Sequence, residues 1–351
     1  MTRFRAPAAV FLITLASACT AATIATAPAS ASTATVPAAG QAASAWLARQ
    51  MVKESHFTSV YNGTSYPNQG ETIDAIFAFA STKSANRYGK RAINWLKEPA
   101  VLSGYIGSGT ESYAGATAKV ALAAEVRGIN PASFGKVNLI KRLAKLLTKP
   151  GRYSDHSKYG DYSNAFSQSL AIIALSRHGG APAKAVKFLM SSECKNGGFP
   201  LNFAQKTCAS DTDSTAMDVQ ALLAAGQRPA AVRGLTWLKH VQLRNGGFDA
   251  SGATTPNANS TGLAGEAFAA ARWFHNAELA AKFLRSLQLG CAARPAERGA
   301  IAYDSTGFAR STAIDATAQG VLGLADVSLA SLSARGSVDA DPRLVCPVRL
   351  S

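Results

Sequence analysis

The chain has 351 residues, 47% of them hydrophobic, with 36 Lys and Arg against 21 Asp and Glu and a formal charge of +15. That length allows one large domain or two small ones around a sizeable core. The basic residues are dispersed, densest at Lys136, Lys141, Arg142, Lys145, Lys149 and Arg152, and no aromatics interleave them, which argues against nucleic acid and leaves a solvated face or an anionic cell-wall or membrane surface.

The chain opens with Arg3 and Arg5, an apolar run over 8–15 and then small residues. This is the pattern of a secretory signal peptide, too short for a membrane span, with cleavage expected after Ala31. Acylation at Cys19 would make it a lipoprotein instead. Loss of Arg3 and Arg5 leaves 34 basic residues and a charge of +13. Four cysteines remain in the secreted chain, and four allow three pairings. The expected pairs are Cys194–Cys208, closing one loop, and Cys291–Cys346, pinning the tail, because an oxidising compartment makes disulfides the default. No later stretch is long and apolar enough to span a bilayer.

Residues 32–40 read as a flexible lead-in. Residues 41–327 then alternate two kinds of helix. The first kind is amphipathic and carries an aromatic or Leu anchor: Trp46, Trp95, Leu146, Phe188, Trp237 and Phe283. The second is Ala-rich and apolar nearly all round, with one polar residue each at what reads as an equivalent place: Asp74, Lys119, Gln168, Gln220, Glu266 and Gln319. Polar, Gly-containing loops are expected between them, at 61–67 and at 104–109 for example. A helix apolar all round must be buried. Six such pairs with a period near 45 residues predict an all-α fold, an α/α toroid with an inner and an outer ring of helices. Residues 328–351 read as a tail.

Arg233-Gly234-x-x-Trp237-Leu238-x-x-x-Gln242-x-x-x-Gly246-x-Phe248 resembles the QW repeat of squalene-hopene and oxidosqualene cyclases, with Phe248 in place of the usual Trp. Copies headed by Phe188 and Phe283 are less complete. The chain is thereby similar to the terpenoid cyclase and prenyltransferase toroids, including proteins with prenyltransferase/squalene-oxidase repeats. The resemblance implies that the repeat Gln satisfies helix-end backbone groups. Asp211-Thr212-Asp213-Ser214-Thr215-Ala216 resembles the Asp-x-Asp-Asp-Thr-Ala motif of class II terpene cyclases, in which the middle acid protonates an alkene or epoxide. That implies a catalytic role for Asp213 with Asp211 beside it. Ser214 stands where the family has its last Asp. Class II enzymes place this acid between two α-domains, and this chain has length for one. The competing use of Asp211 or Asp213 is to cap the following helix.

The zinc ligands of protein prenyltransferases and lanthipeptide cyclases are missing, the five His are scattered, and there is no nucleophile motif, so neither metal nor cofactor is expected. The chain also resembles the α-domain of transcobalamin and intrinsic factor, which meet a corrinoid with polar groups at inner-helix ends. The leading expectation is a secreted, non-catalytic binder of a large, partly apolar corrinoid- or terpenoid-like molecule at the ring's mouth, held by Asp74, Gln168, Asp213, Asp218, Gln220, Glu266 and Gln319. The alternatives are a terpene cyclase or isomerase with Asp213 as general acid, and a cell-wall interaction module.

Overall fold

A computed structural model describes residues 38–250, 255–344 and 346. The expected signal peptide, Cys19 and most of the expected lead-in lie outside the described residues, as does the end of the tail. Thirteen α-helices are present among the described residues. Helix α1 (Ala38–Gln50) begins inside the stretch read as lead-in and carries Trp46. It is followed by a hairpin of strands β1 (Phe57–Tyr61) and β2 (Thr64–Asn68), then by α2 (Gln69–Ser81). Next come α3 (Asn86–Leu96), α4 (Pro99–Ile106), α5 (Ala114–Val126), α6 (Leu139–Leu146), α7 (Ala165–His178) and α8 (Ala183–Ser191). A minimal ladder of β3 (Phe199–Pro200) with β4 (Ser210–Asp211) precedes α9 (Thr212–Ala224). The order ends with α10 (Arg228–Val241), α11 (Ala258–Ala271), α12 (Phe274–Leu287) and α13 (Arg310–Leu324).

Helices α2, α5, α7, α9, α11 and α13 each pack on the next, and α13 returns to α2, so the inner ring closes. The other helices lie outside it: α1 on α13 and α2, α3 on α2, α6 on α5, α8 on α7 and α9, α10 on α9, α12 on α11 and α13. This is the expected toroid. Two loops depart from expectation. The 61–67 stretch is part of the β1–β2 hairpin. The stretch beginning at 104 is half helix, because Pro99 starts α4, Leu102 and Ile106 bury, and Gly107 at φ +86° ends it.

The outer ring is stitched at its turns. The Gln242 amide donates to the Gly246 carbonyl and to the Asn276 carbonyl of α12, both at 3.1 Å. Gln288 donates to Gly299 O (3.1 Å) and to Ala39 O of α1 (2.8 Å), which joins the last outer helix to the first. Glu193 replaces the amide by an ion pair, both its oxygens meeting Arg233 of α10 at 2.6 Å. Gly246, at φ +88°, sits so close to the next outer helix that a Cβ there would lie 2.1 Å from Leu279 O. A side chain has no room, which fixes glycine at this point of the repeat.

The segment after α13 runs across the C-terminal ends of the inner helices. Gln220 of α9 accepts from Leu329 N at 3.0 Å, and Arg177 of α7 donates to the Leu329 and Ala330 carbonyls at 2.9 and 2.8 Å. Ala334 N donates to Val126 O at the end of α5, and Val338 N to Lys83 O beyond α2. Leu329 and Leu332 are buried there. Both expected disulfides form: Cys194–Cys208 and Cys291–Cys346, with Cα separations of 5.5 and 5.6 Å. Two disulfides fit an extracellular location. No described helix is long and apolar enough to cross a membrane.

Candidate active site

A repeated hydrogen bond sets the register of the inner helices. The backbone N–H of Phe57, Tyr153, Phe199, Phe248 and Ile301 is accepted by Thr72, Gln168, Thr215, Thr261 and Thr317 respectively, at 2.8–3.0 Å. Thr117 occupies the matching place on α5 and donates to Tyr113 O. These side chains are fully buried, facing the loops and the outer layer. A residue two positions away is turned by 200° and faces the axis of the ring.

Two tiers of positions turned toward the ring axis follow. Two residues after the marker stand Asp74, Lys119, Leu170, Met217, Leu263 and Gln319. Two residues before it, nearer the helix N-termini and the mouth, stand Gly70, Gly115, Phe166, Asp213, Asn259 and Asp315. The six polar residues read as equivalent from sequence therefore do not form one ring. Asp74, Lys119 and Gln319 share a tier. Gln168 is itself a marker: its amide also donates to Gly151 O and to Ala185 O of α8, both at 3.0 Å, so it does the stitching that repeat three otherwise lacks. Gln220 and Glu266 lie five residues past their markers, deeper down, where Gln220 holds the tail. Asp218 faces α7, where it accepts from Ser169, and its other oxygen has no partner. Burial pushes its carboxyl well above the usual range.

Asp211 and Asp213 divide their tasks. Asp211 caps α9, its Oδ1 accepting Ser214 N at 2.8 Å. Asn257 caps α11 in the same way, accepting Ser260 N at 2.9 Å. The two turns are copies, Asp211-Thr212-Asp213-Ser214-Thr215 and Asn257-Ala258-Asn259-Ser260-Thr261, with Asp replaced by Asn in the second. Asp213 is thus free of capping. Its Oδ1 is buried without a partner, as is Oδ1 of Asn259. Burial pushes the Asp213 carboxyl up to about 6, the Ser260 hydroxyl partly offsets this, and the Asp211 charge adds to it. The inner-helix N-termini around it oppose the rise, since their dipoles favour the anion.

The wall formed by α2, α5 and α13 carries a second group. Lys119 Nζ reaches both oxygens of Asp74 at 2.8 Å, the two side chains being 20 and 16% exposed. Burial opposes the Lys119 charge, yet Asp74, Tyr105 and Asp315 outweigh it and hold the ammonium above its ordinary range. Glu71 is pushed up to about 7, first by burial, then by Asp315 and Asp74, with Lys119 pulling the other way. Burial likewise raises Asp315. Below them Glu266 is fully buried, and its carboxyl is raised well above the usual range, mainly by burial, with the Gln220 amide beside it pulling the other way and Asp74 adding to the rise. Among the described residues no three His, Cys, Asp or Glu side chains converge as metal ligands would.

The rim is aromatic. The hairpin that leads into α2 exposes Val60, Tyr61 and Tyr66, and the loop that leads into α7 exposes Tyr159 and Tyr162. At the opposite end a groove of about 460 Å³, lined by Ser176, Val186, Met190 and Ala224, holds none of the candidate carboxylates.

Sequence reasoning missed Glu71, Tyr105, Asn259 and Asp315. Aligning the second helices on their Thr markers would have found Asn259 and Asp315, which share the register of Asp213. Glu71 and Tyr105 had no such signal, because neither occupies a repeat position.

No protein-family model matches the chain, and no curated protein matches it. Solved structures do. Type II terpene cyclase MstE from Scytonema is 15% identical with a TM-score of 0.61, over 82% of this chain and 96% of that one. Candida albicans protein geranylgeranyltransferase-I is 11% identical with a TM-score of 0.50, over 73 and 84%. A GH76 α-mannanase from Bacteroides thetaiotaomicron is 8% identical with a TM-score of 0.58, over 83 and 94%. Such similarity shows the fold alone, an α/α toroid.

Proposed function

We propose that the protein is an acid-initiated isomerase or cyclase of an alkene-bearing, isoprenoid-like molecule, with Asp213 as proton donor in the lumen. The observation that carries this is the division of labour in the acidic turn. Asp211 meets the capping need, as Asn257 does in the twin turn, so Asp213 is left facing the lumen with an unpartnered oxygen and a raised carboxyl. A carboxyl held near 6 is protonated in mildly acidic medium and ready to give its proton up. A passive corrinoid carrier would be served as well by the amide found in the twin turn. Transfer of the proton to an alkene carbon creates a carbocation, and loss of a neighbouring proton then yields an isomer of unchanged mass. Phe166, Leu170, Met217 and Leu263 offer the apolar wall for the hydrocarbon, and Phe166 a π-face for the cation. Asp213 would return to the acid form from solvent at the mouth.

The test is incubation with polyprenyl alcohols and acids in D2O near pH 5.5, followed by mass spectrometry. One deuterium in an isomerised product, lost in Asp213→Asn and retained in Asp211→Asn, is the expected result. A ligand that binds without isomerisation or deuterium uptake would overturn the catalytic reading in favour of a binder.

A further inference from the structure

The groove at the end of the ring away from the acidic turn has its cause in the sequence. The turns that join α7 to α8 and α9 to α10 are built mostly of small residues, Gly179-Gly180-Ala181-Pro182 and Ala225-Gly226-Gln227, so little side chain projects into the space they border. That space is about 460 Å³, within the roughly 300–1,000 Å³ usual for small-molecule sites. Ala183, Val186 and Met190 of α8 and Ala224 of α9 make it apolar, and Lys187 and Gln227 also line it. The charge around it has one sign. Helices α6, α8 and α10 carry eight Lys and Arg and no Asp or Glu. They follow one another round the outside of the ring: a Cβ on Gly151, after α6, would meet Lys184 of α8, and one on Gly197, after α8, would meet Arg233 of α10. Glu193, just past α8, is taken by Arg233. Lys184 is turned to the Thr148 carbonyl at 2.9 Å. Lys187, in the groove, and Arg228, which follows Gln227 at the start of α10, have no side-chain hydrogen-bond or ion-pair partner among the described residues.

We propose that this groove binds a single long-chain carboxylic acid, its hydrocarbon chain in the groove and its carboxylate at Lys187 and Arg228. An apolar slot flanked by unpaired cations matches a molecule with an apolar body and one anionic end. The chain leaves water along Val186, Met190 and Ala224, and the carboxylate accepts charge-assisted hydrogen bonds at the lip. A second copy of this protein is a poor occupant, because two such basic walls repel each other. A bilayer is a poor one too: the groove is a recess with no aromatic residue in its lining, and the exposed tyrosines stand at the opposite end of the ring. The groove lies apart from Asp213, so the proposal does not depend on proton transfer there.

The experiment compares three probes of one chain length, dodecanoate, dodecanol and dodecyltrimethylammonium, each as monomer. Binding to the disulfide-bonded protein is measured by calorimetry and native mass spectrometry at pH 7.5. The acid is expected to bind as a single equivalent and about tenfold or more tightly than the alcohol, with the ammonium weakest. Lys187→Gln together with Arg228→Gln should erase the preference and leave alcohol affinity unchanged. Ala183→Trp, at an exposed position on the lip, should fill the groove and abolish binding of acid and alcohol alike. An unchanged Tm confirms that each variant folds. Equal binding of acid and alcohol, ammonium binding as tight as acid, or acid binding that survives Ala183→Trp overturns the proposal. So does the absence of binding by any probe. Sedimentation with phosphatidylglycerol vesicles in the absence of monomer binding would assign the basic wall to a membrane surface, and a dimer lost in Ala183→Trp would assign the groove to a second copy; either result overturns it as well. None of these results bears on deuterium uptake at Asp213, which is decided separately.

Discussion

Asp213→Asn should make the protein more stable in alkaline medium while destroying its chemistry. The carboxyl is raised from 3.8 to about 6 by burial. The folded state therefore holds the proton over a window in which the unfolded state has lost it. Below pH 3.8 both states are protonated and the group costs nothing. Between pH 3.8 and about 6 the cost grows, and above that it levels off near ~3 kcal/mol, at about 1.4 kcal/mol for each tenfold change in proton affinity. Partial solvation of Asp213 reduces this to about 1–2 kcal/mol. Asparagine has the same shape and no charge to lose, so the variant should gain about 1–2 kcal/mol at pH 8 and almost nothing at pH 3. Glu71 titrates in the same range but is present in both proteins and cancels. Asp211→Asn supplies the control, because Asn257 already caps α11, and it should be neutral within about 0.5 kcal/mol. Urea unfolding followed by circular dichroism at pH 3, 5, 6.5 and 8 measures all three. A variant no more stable than its parent at pH 8 would mean that the folded protein solvates or pairs the Asp213 carboxylate, and the argument for a poised acid would fail.

Gly246→Ala should cost about 3 kcal/mol, combining left-handed strain with the Leu279 carbonyl that its Cβ would strike. Gly226→Ala, at φ +74° with nothing within 4 Å, should cost only the strain of about 1 kcal/mol, and the difference in urea midpoint isolates the stitch between outer helices. Thr215→Val strands the buried Phe199 N–H and should destabilise by about 1–3 kcal/mol, with Thr261→Val equivalent at Phe248; unequal losses would break the repeat register. Cys291→Ser should lower stability by about 2–4 kcal/mol and raise hydrogen exchange at Leu329 and Val338, where the tail crosses the inner helices. Protection unchanged at Val338 would show that backbone bonds alone hold the tail.

The ring could be read from the sequence because its signal is periodic. Aromatic anchors such as Trp46 and Trp237 recur with Ala-rich helices between them, and burial enforces the pattern six times over. The mouth was legible only at the acidic turn, and then only as a choice between cap and acid. That choice depends on which oxygen reaches which N–H, and Asp211 settled it in space. The polar series misled for a related reason. Gln168, Gln220 and Glu266 look alike along the chain, yet a shift of five residues turns a helix by about 140° and moves a side chain one tier deeper. Glu71 was invisible because its importance comes from Asp315, far away in sequence and adjacent across α2 and α13.

The bond from Gln288 to Ala39 has a bearing on how the molecule comes into being. The first outer helix completes its packing against the last one, and α2 waits for α13, so the earliest segment made is the last to be satisfied. Contacts that span nearly the whole chain form slowly, because the intervening loop must be closed before they contribute. A half-made ring would leave the flanks of α2 and of the newest inner helix open, with nothing yet to cover their Ala-rich faces. The ring is closed by contacts between its first and last helices, and the segment after α13 lies across the inner helices that they join.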